Sequence, residues 1–426
     1  MDPLTTEDEL KRESPPPPYD GLPSPKIADI VGACKRGSLD DLKTLAESKG
    51  GFLSDSLRQK AWPILLGLAR DDNNHEAEAA TSSVPWQKLE PHRDEGQVKL
   101  DVDRAFVHYP ARESPPLDKR PHDKELSANT DIDKSEAEES LQKAELSALI
   151  VEVLRRHPHL CYFQGFHDIC QVFLLVLAPR QRAPAVARLS LLRIRDFMLP
   201  RIDPAVAQLQ LIPDLLRAAD PALWRHLSHT KPFFALSGTL TMYAHDVTSL
   251  GEIARLFDVL LAREPVFSVY MFAAIVRGRR AELFDTPADE PEMLHSILSK
   301  LPKALDLDAL IAAAVRLADD HPPESLRSWR WGISAHSVLK TARTLDDCAA
   351  QSMEDGEGFF RGQVREMEMA ARRKEIQRMM WKHRGPIRAV GLAIAVGVIA
   401  VWLRRSAWPA PLLSTLTNIV SRWTAS

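Results

Sequence analysis

A chain of 426 residues with 45% hydrophobic and 27% charged residues is long enough to bury a sizeable core, as one large domain or two small ones. A net charge of −3 and a pI near 6.5 leave no electrostatic footprint for nucleic acid. Four cysteines without a C-x-x-C pair, and no recognisable secretory signal, point to free thiols in a reducing compartment.

Residues 1–24 contain Pro15 to Pro18 in a row and few aliphatics, so they are expected to form a disordered tail. From Lys26 a helical period begins. Ile27, Ile30, Val31 and Cys34 share one face, Gly37 and Ser38 break it, and Leu42 with Leu45 starts a second helix that leads into a third from Arg58 to Leu68. Residues 71–85 are polar and predict a loop. The next element runs from near Gly96 to before Pro110, and Val98, Asp101 and Arg104 recur there at every third residue. On a helical turn they share a face, with the Asp101 carboxylate placed to orient Arg104. Alone this is an ordinary surface ion pair, worth little. Residues 111–134, rich in Pro, Asp, Lys and Ser, predict a flexible surface insertion. Ser135 with Glu138 then reads as a capping box opening a helix whose stripe is Leu146, Leu149, Ile150, Val153 and Leu154.

That helix delivers the chain to Pro158. From Cys161 to Ala178 the sequence is mostly aromatic and aliphatic, which predicts a buried helix entered through a turn at Tyr162, Phe163, Gln164 and Gly165. Gln164 stands at its mouth, and Gly165, lacking a Cβ, admits close approach of a partner's backbone or a phosphate. Taken alone, a buried glutamine satisfied by backbone groups is the commoner explanation. Cys161, His167 and Asp168 have the composition of a thiol nucleophile site, yet nothing nearby would lower the thiol pKa, so they are expected in the core. His226 and His229 lack a third ligand of suitable spacing, so no metal site is expected. Neither G-x-x-x-x-G-K-[ST] nor G-x-G-x-x-G occurs, so the chain is not expected to bind a nucleotide by either route. Later segments up to Leu317 repeat the helical period between prolines, and alternating runs with Asn-Gly or Asp-Gly turns are missing. The fold class is therefore all-α.

Residues 346–385 begin with an acidic, glycine-bearing stretch, Glu354 to Gly358, expected to be a linker, and continue into a basic juxtamembrane helix with Arg372, Arg373, Lys374, Arg378, Lys382 and Arg384. The apolar run Ala389 to Leu403 makes 386–405 the expected transmembrane segment. Fifteen apolar residues span only about 22 Å, against a hydrocarbon core of about 30 Å. The thinner endoplasmic reticulum bilayer, about 27 Å, suits it best, with Arg388, Arg404 and Arg405 snorkelling. Basic residues crowding before the run place the preceding domain in the cytosol. The tail 406–426 carries Leu412, Leu413, Leu416, Ile419, Val420 and Trp423 as a second apolar face that would suit the interface or a shallow hairpin.

Four stretches in order carry a family resemblance. Arg58, Trp62, Pro63, Leu65, Leu66 and Gly67 look like R-x-x-x-W-P-x-L-L-G; Val98, Asp101 and Arg104 like I-x-x-D-x-x-R; Tyr162, Gln164 and Gly165 like Y-x-Q-G; and Arg255, Leu256, Phe257 and Asp258 like R-L-[WF]-D. Together they resemble the TBC domain, the Rab GTPase-activating fold, over about residues 25–345. The resemblance implies a multi-helical domain acting on a Rab family small GTPase, with Arg104 as arginine finger and Gln164 as glutamine finger, supported by Asp101, Tyr162 and Gly165. Magnesium and GTP would come with the Rab, and the chain would have no cofactor of its own. An intact domain with an apolar C-terminal tail resembles the family's endoplasmic reticulum-anchored branch, which implies that membrane or the early Golgi as location and the Rab of ER-to-Golgi transport as substrate. The alternatives are a non-catalytic Rab-binding adaptor and a membrane scaffold. One position departs from the family: Gly238 stands where a tryptophan is common, which predicts a packing gap unless a neighbour fills it.

Overall fold

A computed structural model describes residues 25–68, 84–106, 128–302, 305–382 and 384–405. Among them every regular element is helical, as the periodicity demands. The chain divides into two compact units at Gln363. The expected tail 1–24, the insertion up to residue 127 and the terminal stretch 406–426 lie outside the described residues, as does most of the 71–85 loop.

The first unit is organised around one buried carboxylate. Asp258, on the helix Leu250–Ala262, is fully buried and accepts from Arg58 Nε at 3.0 Å, Arg58 Nη2 at 3.1 Å, Trp62 Nε1 at 2.9 Å and the Phe52 N–H at 3.0 Å. A buried charge persists only when paired and hydrogen-bonded, and these donors meet that demand. Arg58 and Trp62 share a face of Asp55–Leu65, so the opening motif and the R-L-F-D motif are two halves of one joint. The Trp62 indole packs on Phe257 and on Phe173 of the helix Phe166–Val176, with ring centroids 5.9 and 5.6 Å away. The joint thereby fixes the helix that leaves the glutamine turn.

Buried arginines close other helix ends, whose last carbonyls lack helical partners. Arg255 donates to the Ala46 carbonyl at 2.8 Å and the Ser48 carbonyl at 3.0 Å, after the helix Leu39–Glu47. Arg193 donates to the carbonyls of Leu65, Leu261 and Arg263. Farther along, Phe267–Gly278 packs along Leu307–Asp320, and Tyr270 donates to the His321 carbonyl at 2.6 Å.

Gly238 leaves no gap. A Cβ there would come within 3.2 Å of the Phe272 ring and 3.4 Å of Tyr243, two rings that stack on each other. Two boundaries differ from the sequence reading. The long helix is Ala128–Arg156, so Ser135 lies inside it rather than capping it, and residues 128–134 of the expected insertion are helical. The acidic stretch Glu354 to Gly358 is no linker: it opens the helix Met353–Lys382. Ser352 and Asp355 cap that helix reciprocally, N–H to Oγ at 3.1 Å and N–H to Oδ2 at 2.9 Å. Gly356 then packs so closely that a Cβ would stand 2.7 Å from Leu191 and Leu192.

The second unit continues that helix and holds Arg384–Arg405. The expected transmembrane segment is thus helical, but among the described residues no helix is long and apolar enough to cross a membrane. The uninterrupted apolar run between Arg388 and Arg404 is fifteen residues, about 22 Å of helix against a hydrocarbon core of about 30 Å. Ile394, Val396, Val398, Ile399, Val401 and Trp402 are each more than half exposed.

Candidate functional site

The arginine-bearing element is a short helix, Glu95–Val102, set against Ala128–Arg156. Val98 and Val102 are buried, and Arg155 grips Glu95 with two bonds of 2.6 and 2.9 Å, the planar fork matching the carboxylate. That grip draws the Glu95 carboxyl below the usual carboxylate range, against the opposing push of burial. Glu95 also accepts the His92 N–H at 2.7 Å, closing the helix start. Beyond Val102 the chain turns. Ala105 and Phe106 tuck inward while Arg104 stays exposed, and its guanidinium has no partner among the described residues. Phe106 adopts φ 67, a strained conformation for a bulky residue.

Asp101 does not orient Arg104. It is 3% exposed and accepts from Gln97 Nε2 and from the Tyr162 hydroxyl, each at 2.9 Å. The helix ends at Val102, so the three-residue spacing no longer aligns the two side chains, and Arg104 bonds Asp101 only through its backbone N–H. The carboxylate instead ties the arginine element to the glutamine turn.

Further bonds make the same tie. Asp94 accepts the Tyr162 N–H at 2.9 Å, and His92 Nε2 meets the Leu160 carbonyl at 3.0 Å. Arg93 donates to the carbonyls of Pro158 and Leu160. Burial, with Asp101 as acceptor, pushes the Tyr162 pKa far above the ordinary phenol value, so the hydroxyl remains a donor at any physiological pH.

The turn itself is Phe163 to Phe166. The Phe166 N–H bonds the Phe163 carbonyl at 3.1 Å, and Phe163 packs on Phe166 and Phe197. Gly165 has φ 98, and a Cβ on it would lie 2.5 Å from Thr241 Cγ2, so both backbone and space require glycine. Gln164 is exposed, and its amide has no partner among the described residues. The structure therefore presents two uncommitted groups, a guanidinium and a primary amide, on a joined support.

His167 and Asp168 are buried, as expected of core residues, and they are linked to neighbouring polar groups. His167 Nδ1 lies 3.2 Å from the Tyr162 hydroxyl, its Nε2 lies 3.2 Å from Asp168 Oδ1, and Asp168 Oδ2 meets His245 Nδ1 at 3.0 Å. A polar pair one residue past Gln-Gly, in the first turn of an apolar helix, was the available signal for these two; His245 carried none. Burial raises the thiol pKa of both Cys161 and Cys170, but only Cys170 lies in the core as expected; Cys161 is half-buried, and its sulfur accepts from Arg93 Nη2 at 3.0 Å. His226 meets the carbonyls of Leu283 and Thr286, and no metal-binding cluster occurs among the described residues.

The family model for the Rab-GTPase-TBC domain matches residues 118–284, a span that includes Gln164 and begins after Arg104. The chain is 32% identical over 344 residues to the GTPase-activating protein gyp10 of Schizosaccharomyces pombe, covering 80% of this chain and 84% of that protein. It is 30% identical over 394 residues to TBC1 domain family member 20 of Homo sapiens, covering 90% and 89%. The crystal structure of the Ypt/Rab-GAP domain of Gyp1p has a similar fold, with a TM-score of 0.51 at 15% identity over 69% of this chain and 98% of that one. The extent of these matches and the joined motifs establish that the chain belongs to the Rab-GTPase-TBC domain family.

Proposed function

We propose that the chain is a GTPase-activating protein for a Rab, with Arg104 and Gln164 completing the active site of the GTPase in trans. The observation that carries this is the Tyr162–Asp101 bond of 2.9 Å, which joins the two elements bearing the exposed guanidinium and amide. A guanidinium is permanently charged and presents a planar fork, so Arg104 neutralises charge developing on the transferring phosphoryl group. An amide both donates and accepts, so Gln164 holds the attacking water while donating to the phosphate. GTP and magnesium belong to the Rab. Single-turnover GTP hydrolysis across a panel of Rabs tests the reading: acceleration of at least one is expected, whereas binding without acceleration identifies an adaptor.

Membrane attachment belongs to the same proposal. The exposed apolar side chains from Ile394 to Trp402, preceded in sequence by a basic stretch, support seating in a membrane surface without requiring a full span. The combination of domain and tail supports the endoplasmic reticulum and early Golgi as location, with the domain in the cytosol, and the Rab of ER-to-Golgi transport as substrate. Flotation with anionic vesicles should carry the full chain and not a form ending at Gln377. Carbonate extraction of the full chain then separates shallow seating, which is stripped, from deep insertion, which is not.

A further inference from the structure

Five side chains form a continuous polar path through the apolar support of the glutamine turn: Asp101, Tyr162, His167, Asp168 and His245. One assignment of protons satisfies these contacts. Tyr162 has one hydroxyl proton, and it goes to Asp101. Its oxygen is then an acceptor for His167 Nδ1–H at 3.2 Å. His167 Nε2 therefore faces Asp168 Oδ1 at 3.2 Å, a favourable contact when that nitrogen also carries a proton. The other Asp168 oxygen is held by His245 Nδ1 at 3.0 Å, and that bond sets how the carboxylate turns towards His167.

We propose that His245, acting through Asp168 and His167, is a positioning residue that holds the Gln164 turn on the Arg104 element. The inference rests on the reading of Arg104 and Gln164 as the acting groups. His245 is suited to this place because its backbone is fixed while its ring reaches solvent, with 57% of the side chain exposed. Its N–H bonds Thr241 Oγ1 at 3.4 Å, and Thr241 is the residue packed against Gly165. Met242 and Tyr243 between them adopt φ 50 and 68, strain that a turn retains where its geometry is over-determined. One short segment thus backs the glycine of the glutamine turn and anchors the end of the polar path.

The titratable groups facing His245 are Asp168 and His167 from Phe166–Val176 and Asp246 from its own segment; Ser237, from Leu236–Leu240, offers Asp246 a hydroxyl. The bond to Asp168 raises the His245 pKa above the usual histidine value, against the opposing effect of burial, whereas burial lowers that of His167. The charged form of His245 therefore persists to a higher pH than an ordinary histidine would allow. As pH rises through that range, its hold on Asp168 weakens.

The test compares the full chain with His245→Ala and His245→Gln, the latter keeping a donor that does not titrate. Single-turnover hydrolysis by a responsive Rab is measured from about pH 6 to about pH 8, the range of histidine titration, as the ratio of wild-type to variant rate. His245→Ala should be slower by roughly 2- to 10-fold at the acid end, the span of one hydrogen bond's net contribution, and should approach wild type at the alkaline end. His245→Gln should recover part of the rate and lose the pH-dependent component. In the free chain, the imidazole resonances of His167 should shift in His245→Ala. A ratio of one throughout, or a deficit equal at every pH with His167 unmoved, overturns the inference. Gln164→Ala in the same assay separates the two readings: full activity there refutes the finger assignment, while an inactive Gln164→Ala beside a flat His245→Ala ratio refutes only the role of His245.

Discussion

The two uncommitted groups sit on supports of opposite character. Gln164 stands at the entrance of Phe166–Val176, a helix whose residues are almost all buried and which Trp62 and Phe257 grip from the Asp258 joint. Arg104 follows a helix of eight residues, Glu95–Val102, held through partly exposed polar bonds to Arg155, Tyr162 and the 158–160 carbonyls. The amide is thus placed by the core, and the guanidinium by a polar lattice added to the buried Val98, Val102, Ala105 and Phe106. This arrangement suits the proposed chemistry: a long, flexible arginine would reach into another protein's site, while the shorter amide would depend on its backbone being right.

The largest effect expected is at Arg104. Arg104→Ala should lower the accelerated hydrolysis rate by about 10³- to 10⁵-fold, the range for arginine fingers, without altering thermal stability, because the side chain is exposed and unpartnered among the described residues. Arg104→Lys should also fail, since an ammonium keeps the charge and not the fork. Near wild-type turnover in either variant would break the comparison at its first member.

The rigid side is tested next. Gln164→Ala should reduce the rate by roughly 10²- to 10³-fold, the loss typical of one preorganised donor, again with stability unchanged. Gly165→Val should be equally inactive for a different reason, because its side chain must displace Thr241 and adopt a positive φ, and here the melting temperature should fall as well. A Gly165→Val chain that is inactive yet fully stable would mean that the turn is not locked by the core.

Much of this was legible in the sequence because function and folding use recognisable residue types. The all-α class follows from period and prolines, whereas Arg58, Trp62 and Asp258 stood out only through two family motifs, and their bonding to one another is seen in the structure. What the sequence concealed depended on where elements end and on distant pairs. A spacing of three residues suggested that Asp101 orients Arg104, but the helix stops at Val102, and the carboxylate turns to Tyr162, 61 residues away. Glycines and acids at Glu354 to Gly358 suggested a linker, where the Ser352 and Asp355 cap builds a helix start that Gly356 lets pack closely. His245 is 77 residues from Asp168, with no local pattern to connect them.

The bridge between the two supports is Tyr162, and its removal should affect both. Tyr162→Phe keeps the ring against Phe166 and deletes the hydroxyl, leaving Asp101 with Gln97 alone. A hydrogen bond to a charged group is worth about 1.5 to 3 kcal/mol, so a rate loss of roughly tenfold or more is expected if the bond sets finger geometry. Asp101→Asn should behave similarly. The double variant should be little worse than either single one, because both remove the same link. Fully additive losses would show that the two residues act separately.

The smallest effect concerns pH and the polar lattice alone. Arg155 holds the Glu95 carboxyl below its usual pKa, so the pair contributes its full stabilisation above the ordinary carboxylate value, about 4.3, and loses it as pH falls through the depressed folded value. The pair is partly exposed, so the effect should be local rather than global. On acidification, amide exchange in Glu95–Val102 should accelerate before that in Phe166–Val176, which is held chiefly by buried apolar packing. Glu95→Gln should remove the acid-dependent part of that exchange at the arginine element and leave the glutamine helix unchanged. Simultaneous acceleration of both helices on acidification would show that they open as one unit, and the division between a core-placed amide and a lattice-placed guanidinium would not hold.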